Sequence, residues 1–367
     1  MLKKLVVKNF KCFGDLTFDL TAADYSFNQE LIKDGVVNKA LIYGKNGTGK
    51  SSLGFAVVDL IQHLTDTQPI PPVYTNYYAN MNSSVSDVTF QYTFSFNFKD
   101  VVYEYRKTAE KELIYEKLEA DGEELADYHY NSDRKYIAPA LQGNLNIQLP
   151  DNKLSILKYI YRNTPTGTFP LLTQLMKFCE GMLWFRSLSD GNSYSGLING
   201  QRTLDKMLLE SGKLFEFQEF LHKCGIPYEL DFEKEGDDPV LYVYFAGKKK
   251  KAPFRVVASS GTRVLLLFFV WLVMGKDRLS LLFIDEFDAF YHYEVAAMVV
   301  KELNQFRNFQ SILTTHNTYL MQNEFTRPDC CFLLTEQGLK SLKKSSEREI
   351  REAHNLEKMY INGAFIS

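Results

Sequence analysis

Cysteine is scarce: five residues (Cys12, Cys179, Cys224, Cys330 and Cys331) in 367, with no C-x-x-C spacing and no even-numbered framework. This argues against a disulfide scaffold and suits a reducing cytosol. Long apolar runs are missing too. The longest, residues 264–274, covers about eleven positions, against the ~20 that a spanning helix needs. The opening MLKKLVVKNF has no apolar signal region followed by a small-residue cleavage site. Together these absences predict a soluble, cytoplasmic protein with no membrane partner. Charge of one sign is not in excess either: the formal net charge is −3, so a nucleic-acid contact would have to be a local patch. No internal repeat or sustained heptad run occurs, which excludes solenoids and extended coiled coils. The six histidines show no metal-ligand spacing, and no Ser-His-Asp or catalytic-cysteine arrangement is suggested.

What is present is core material with rhythm. Hydrophobic residues make up 45% and aromatics 14%, enough for one large domain or two lobes and too much for a disordered chain. Leu16, Phe18 and Leu20 alternate with polar residues at strand period. Phe90, Tyr92, Phe94, Phe96 and Phe98 do the same, and Tyr103/Tyr105 and Leu113/Tyr115 continue toward an Asp121-Gly122 turn. That pattern predicts a half-buried antiparallel meander. From about Asn152 to Gly225 the spacing turns helical, as in Leu172, Leu175, Met176 and Cys179. Later, short apolar strands over 281–284, 310–315 and 331–334 alternate with helices, as in a parallel sheet covered on both faces. The expected division is a first core half over 1–130, a helical insertion forming a second lobe over 131–226, and a second core half over 227–367.

Gly44-Lys45-Asn46-Gly47-Thr48-Gly49-Lys50-Ser51 fits G-x-x-x-x-G-K-[ST], after an apolar strand and ahead of a helical pattern. Glycines let successive backbone N–H groups wrap a phosphate, and a helix N-terminus adds its positive dipole end. Gly44 through Ser52 is therefore read as a nucleotide cradle, with Lys50 on the β/γ-phosphates and the Ser51 hydroxyl on Mg²⁺. Leu281-Leu282-Phe283-Ile284-Asp285-Glu286 is an apolar strand ending in two carboxylates, at the edge where parallel sheets bind ligands. Asp285 can support the metal, and Glu286 can polarise an attacking water. Ala258-Ser259-Ser260-Gly261-Thr262-Arg263 is a polar loop before a long apolar helix, which Ser259 or Ser260 could cap. Another apolar strand runs through Thr314 and Thr315 to His316. Lys248, Lys249, Lys250 and Lys251 form a basic run that reads as a solvated hairpin tip or as a DNA-backbone contact.

In this order the four elements resemble the ABC-type ATPases: Walker A, signature loop, Walker B with its glutamate, and a switch histidine. The loop Ala258-Ser259-Ser260-Gly261-Thr262 is similar to the S-S-G-T form of SMC/RecF-like ATPases and their OLD-type and abortive-infection relatives, not to the transporter form L-S-G-G-Q. Leu5-Val6-Val7-Lys8-Asn9-Phe10 resembles the first strand of RecF-like proteins. Ile284-Asp285-Glu286-Phe287-Asp288, with His292, looks like the OLD-type I-D-E-x-D-x-x-x-H run. Asn355-Leu356-Glu357-Lys358-Met359-Tyr360, with Gly363, resembles the tail of stand-alone abortive-infection ATPases.

The resemblance implies an α/β fold: a P-loop NTPase of the ABC-ATPase head type, with a mixed, largely parallel core sheet, an antiparallel β-meander and a helical insertion. It implies ATP and Mg²⁺ as cofactors, Lys50, Glu286 and His316 as catalytic residues, and Ser51 and Asp285 at the metal. Ser259, Ser260 and Gly261 would complete the site of a second copy, hence a homodimer or a higher even-numbered assembly. The implied activity is ATP hydrolysis, gating a separate effector such as a Toprim-type nuclease in prokaryotic anti-phage or abortive-infection defence. The alternatives are a RecF-like DNA-repair ATPase, the nucleotide-binding subunit of a transporter, and a nucleotide-gated scaffold that hardly turns over. No Q-loop glutamine is assigned; Gln91 sits on the alternating strand. Some two hundred residues separate Lys50 from Ser259, room for an insertion but not for a long hinged coiled coil. Some fifty follow His316, too few for an attached Toprim domain.

Overall fold

Two seven-stranded sheets face each other across the helix Lys50–Leu64 in the computed structural model, which describes residues 1–66, 76–149, 151–165, 167–186, 194–196, 203–235, 238–245 and 247–365. The first sheet runs in the order Lys135–Ile137, Glu123–His129, Leu113–Ala120, Lys99–Lys107, Val88–Phe96, Leu2–Phe10, Phe13–Asp19. Every neighbouring pair in it is antiparallel. Period-2 alternation explains its one-sided burial, since Phe90, Tyr92, Phe94, Tyr103 and Tyr105 all point inward and are fully buried. The expected stripe stops short of Phe98. Phe96 pairs with Lys99, and Asn97 and Phe98 between them take positive φ of 51° and 64°, a two-residue hairpin turn that leaves the Phe98 ring 81% exposed. Asp121 and Gly122 form the second such turn, between Ala120 and Glu123. A bulge between Arg106 and Lys107 shifts the next pairing. Glu116 is therefore fully buried while Tyr115 is only half-buried.

The second sheet runs in the order Tyr194–Gly196, Met182–Arg186, Leu281–Asp285, Gln310–Thr315, Lys39–Gly44, Cys331–Thr335, Gly338–Ser341. Its five inner strands are parallel and its two edges antiparallel. The architecture is thus a mixed α/β fold, with the strand that leads into the glycine-rich loop inside the parallel sheet.

Among the described residues of 131–226 lie the helices Pro139–Gln142, Ile156–Asn163, Pro170–Glu180, Leu204–Ser211 and Leu214–Lys223; the first is a single turn, and the other four pack against the parallel sheet. The stretch is not set apart as a lobe. Its strand Met182–Arg186 pairs in parallel with Leu281–Asp285 inside the central sheet. A five-residue apolar run such as Met-Leu-Trp-Phe-Arg has no period of its own, so spacing could not tell it from the helices around it. Of those four helices, the first two pack into the core between the sheets, and the last two pack on the opposite face of the parallel sheet. On that second face lie the helices Ser260–Gly275 and Tyr293–Asn304 and a small sheet of Glu229–Glu235, Asp238–Phe245 and Lys250–Pro253. Among the described residues, no helix is long and apolar enough to cross a membrane.

Candidate active site

The strand Lys39–Gly44 ends in the glycine-rich loop, and the helix Lys50–Leu64 begins directly behind it. Gly49 caps that helix at φ 102°, a conformation costly for any side chain. A Cβ there would also lie 2.5 Å from Cys12 Sγ and 2.9 Å from the Phe13 ring, so the loop is pressed against the first hairpin. Lys45, Asn46 and Gly47 are exposed, while Thr48, Ser51 and Ser52 are half-buried. Thr48 Oγ1 donates to Lys45 O at 2.9 Å, closing the loop on itself. The Lys50 ammonium folds back onto the carbonyls of Gly44 (2.8 Å) and Lys45 (3.2 Å). Burial lowers its pKa from the ordinary lysine value, against the pull of Glu286, Asp285 and Asp288. A cation held by two carbonyls at a helix N-terminus has the chemistry to take phosphate instead.

Ser51 Oγ donates to Asp285 Oδ2 at 2.6 Å. The other Asp285 oxygen accepts from Thr314 Oγ1 at 2.8 Å, and Thr314 Oγ1 in turn accepts from the Glu286 backbone N–H at 2.7 Å. Asp285 is fully buried. Glu286 takes φ 50°, left-handed for a non-glycine residue. The strand therefore turns sharply at its last carboxylate, and Thr314 holds that turn. A serine hydroxyl and a carboxylate oxygen in contact form a hard-oxygen pair suited to Mg²⁺, which takes few protein ligands beside phosphate and water. On the strand that carries Thr314, the next residue Thr315 donates through Oγ1 to Asp288 Oδ2 at 2.6 Å. Burial raises the Asp288 carboxyl above its ordinary value, with Thr315 and His316 opposing.

Two residues at this centre carry signals that the motifs did not assign. Thr314 ends an apolar strand as an ordinary polar residue would. Arg186 ends the strand missed in the helical stretch, pairs in register with Asp285, and lies 3.5 Å from both Asp285 Oδ2 and Glu286 Oε2.

The other expected site residues lie further off. His316 follows the strand Gln310–Thr315 and is exposed. Ser259 caps the helix Ser260–Gly275, accepting from the Thr262 backbone N–H at 3.1 Å, so the local role as a helix cap is filled. Gly261 packs so closely that a Cβ would sit 2.5 Å from the Phe290 carbonyl oxygen, tying this loop to the segment after Glu286. Ser259 and Ser260 are exposed, and among the described residues no hydrogen bond joins them or Gly261 to the glycine-rich loop. Gln91 binds Glu104 at 2.6 Å on the antiparallel sheet. Lys248 and Lys249 form an exposed turn, and Lys251 is paired with Glu233 and lies 4.9 Å over the Tyr242 ring. The tail helix Leu356–Ile361 docks through Glu357, which accepts from Thr318 Oγ1 at 3.0 Å. It places Tyr360 beside the glycine-rich loop, in a cleft of about 660 Å³.

Comparison with known proteins bears on the half of the site that follows Arg186. Residues 184–322 match the family described as "AAA domain, putative AbiEii toxin, Type IV TA system". The matched stretch holds the signature loop, Asp285, Glu286 and His316, and leaves the glycine-rich loop outside it. This agrees with the abortive-infection branch of the SMC/RecF-like ABC-type ATPases read from the motifs. No curated protein matches the chain in sequence. Among solved structures the chain is similar to the SMC head domain from Thermotoga maritima, at 14% identity and a TM-score of 0.44, covering 91% of this chain and 94% of that one. It is similar to the Smc head domain with an extended coiled coil bound to the C-terminal domain of ScpA, derived from Pyrococcus furiosus (12%, TM-score 0.48, 94% and 97%). A third is the ATP-bound recombination mediator protein RecF (12%, TM-score 0.41, 93% and 99%).

Proposed function

We infer that the chain is a Mg²⁺-dependent ATPase of the SMC/RecF-like type that works as a nucleotide-gated dimer. The observation that carries this is the convergence of Lys50, Ser51, Asp285 and Glu286 at the N-terminus of one helix. Lys50 leaves the Gly44 and Lys45 carbonyls for the β/γ-phosphates, while the backbone N–H groups of the loop hold the phosphate oxygens. Ser51 and Asp285 separate to hold Mg²⁺, which would neutralise charge on the phosphates when bound. Glu286 takes the proton of the attacking water, and His316 contacts the terminal phosphate from the next strand.

Two features support a second copy. Ser259 and Ser260 are exposed, with no hydrogen bond to their own glycine-rich loop among the described residues, and apolar Val256 (72% exposed) and Phe290 (40%), whose carbonyl packs on Gly261, are exposed as well. Two chains head to tail would place each signature loop, with Ser259, Ser260 and Gly261, on the partner's nucleotide. The family match supports a role in prokaryotic abortive-infection defence, with the dimer reporting nucleotide state to a separate effector, a Toprim-type nuclease in this reading.

The test uses two variants. Lys50→Ala loses nucleotide binding. Glu286→Gln keeps binding, loses turnover, and accumulates as a dimer or higher even-numbered assembly by light scattering, because bound ATP stabilises the associated form by mass action. Unchanged turnover in Glu286→Gln removes it as the base; a monomer at saturating ATP and Mg²⁺ removes the composite site.

A further inference from the structure

Among the described residues, Arg186 is the one cation within 4 Å of both carboxylates at the end of the strand Leu281–Asp285, whereas Lys50 bonds to the Gly44 and Lys45 carbonyls. It reaches them because the strand Met182–Arg186 lies parallel to Leu281–Asp285, with Arg186 opposite Asp285. Its Nε stands 3.5 Å from Asp285 Oδ2, the same oxygen that accepts from Ser51 at 2.6 Å. Its Nη2 stands 3.5 Å from Glu286 Oε2. Arg186 and Ser51 therefore share an oxygen, and the guanidinium is one atom removed from the helix N-terminus where phosphate binds.

Neither contact is a closed pair. Charge-assisted N–H···O bonds close to about 2.7–2.9 Å, and a guanidinium fitted to one carboxylate makes two such bonds in parallel. Here the guanidinium approaches the two carboxylates at longer range, 3.5 Å each, and the side chain keeps 30% of its surface exposed. A triphosphate entering beside it brings more negative charge than either carboxylate. If Mg²⁺ occupies the Ser51–Asp285 position, Asp285 no longer needs the guanidinium as its counter-charge.

We propose that Arg186 is a nucleotide-responsive arginine acting within its own chain: it clamps Glu286 and Asp285 in the empty site and transfers to the terminal phosphate of a bound triphosphate. The transfer frees the Glu286 carboxylate to face water only when a third phosphate is present. Arg186 would thus make the site distinguish ATP from ADP. This rests on the ATPase reading above and adds to it a residue that none of the four motifs contains.

The experiment measures the affinity of the full chain, with Mg²⁺, for ADP and for a non-hydrolysable ATP analogue, using fluorescent nucleotide displacement. Arg186→Ala should weaken the triphosphate analogue by about tenfold or more, the loss typical of a hydrogen bond to a charged group, and leave ADP within about twofold. Arg186→Lys keeps the charge without the planar fork and should fall between the two. It also serves as the folding control, its melting curve matching the wild type. If both nucleotides weaken alike in Arg186→Ala and Arg186→Lys, or neither weakens, the transfer to the terminal phosphate is wrong while nucleotide binding stands. If the wild-type chain binds neither nucleotide, the ATPase reading falls and takes this proposal with it.

Discussion

The two faces of the parallel sheet are held by different forces. On the face toward the antiparallel sheet, the helix Lys50–Leu64 is anchored by a buried polar network. Asp59 accepts from Tyr78 (2.7 Å), Tyr105 (2.5 Å) and Lys107 (2.7 Å), and His63 meets the Tyr103 hydroxyl at 2.6 Å. Tyr103 passes the chain on to Glu116 at 2.6 Å, which also accepts from Ser155 at 2.8 Å, and from Tyr130. On the opposite face the helix Ser260–Gly275 buries Val264 through Leu272 without interruption. Its partners are aromatic: Phe269 lies 5.1 Å from Phe217 and 5.7 Å from Phe220. Directional partners specify one position for a helix, whereas apolar packing tolerates rearrangement at nearly constant volume. The helix behind the glycine-rich loop is thus the one fixed by geometry. The helix that Ser259 caps is held mainly by apolar volume.

The largest effect that would break this contrast is removal of one buried charge. Asp59→Ala strands Lys107 and should cost about 3–5 kcal/mol, read as a fall in urea midpoint. Asp59→Leu combined with Lys107→Met should recover most of that loss. No recovery would mean that the tyrosine hydroxyls, and not the ion pair, carry the network. On the apolar face, Leu267→Ala should cost about 2–5 kcal/mol through the cavity it leaves, and no polar second change should rescue it.

Acid separates the two faces further. Burial alone would raise the Asp59 and Glu116 carboxyls, yet Lys107 with Tyr105 and Tyr78 holds the first below its usual range, and His63 with Tyr103 and Tyr130 holds the second. Burial, with Lys107, holds the His63 pKa below its ordinary value against the pull of Glu116. All three shifts are downward, so the unfolded chain binds more protons in each window. The His63 contribution begins to fall below about pH 6.5, and those of the carboxyls are complete above about pH 4 and lost as pH drops through their lowered values. Melting temperature should therefore decline from about pH 6.5 downward, and the Asp59→Leu, Lys107→Met chain should show a shallower decline. Leu267→Ala should shift the curve by the same amount at every pH.

An effect in the alkaline range concerns Lys39, at the start of the strand leading into the glycine-rich loop. Burial, with Lys33 nearby, lowers its ammonium to about 7, while it donates to Phe309 O at 2.8 Å. A depressed lysine penalises the charged form, so stability should rise between about pH 7 and the ordinary lysine value of about 10.4. Lys39→Met should flatten that rise in pH-dependent melts.

Much of this was legible in residue order. The glycine-rich loop, the carboxylates at the end of residues 281–285 and the buried stripe Phe90, Tyr92, Phe94 are local patterns, and local patterns survive in a linear string. What was not legible depends on partners far along the chain. Asp59 and His63 sit on a helix face that spacing alone marks as ordinary polar positions, and only the facing sheet shows them buried. Glu116 turns inward because a bulge at Ile114, in its own strand, reverses the alternation that starts at Leu113. Arg186 reads as the polar end of a short apolar run until Asp285 is laid beside it, about a hundred residues on.

The strand order has a consequence for synthesis. The strand Lys39–Gly44 lies between Gln310–Thr315 and Cys331–Thr335. The side chain of Gln310 also bonds to the backbone of Leu2, a partner 308 residues away. On a ribosome adding about 5–20 residues per second, the phosphate loop is made early and then waits on the order of tens of seconds for either neighbour. Until then its strand has open edges on both sides and no sheet to join. The antiparallel hairpins over residues 88–129 pair with one another and, through Val88–Phe96, with Leu2–Phe10, all of them made by then, and can close within that interval, forming a platform on which the helix behind the loop can rest. A nascent chain halted before residue 310 should therefore hold folded hairpins and an unformed nucleotide site. The competence to bind nucleotide would arrive late, only once the strands Gln310–Thr315 and Cys331–Thr335 have been made.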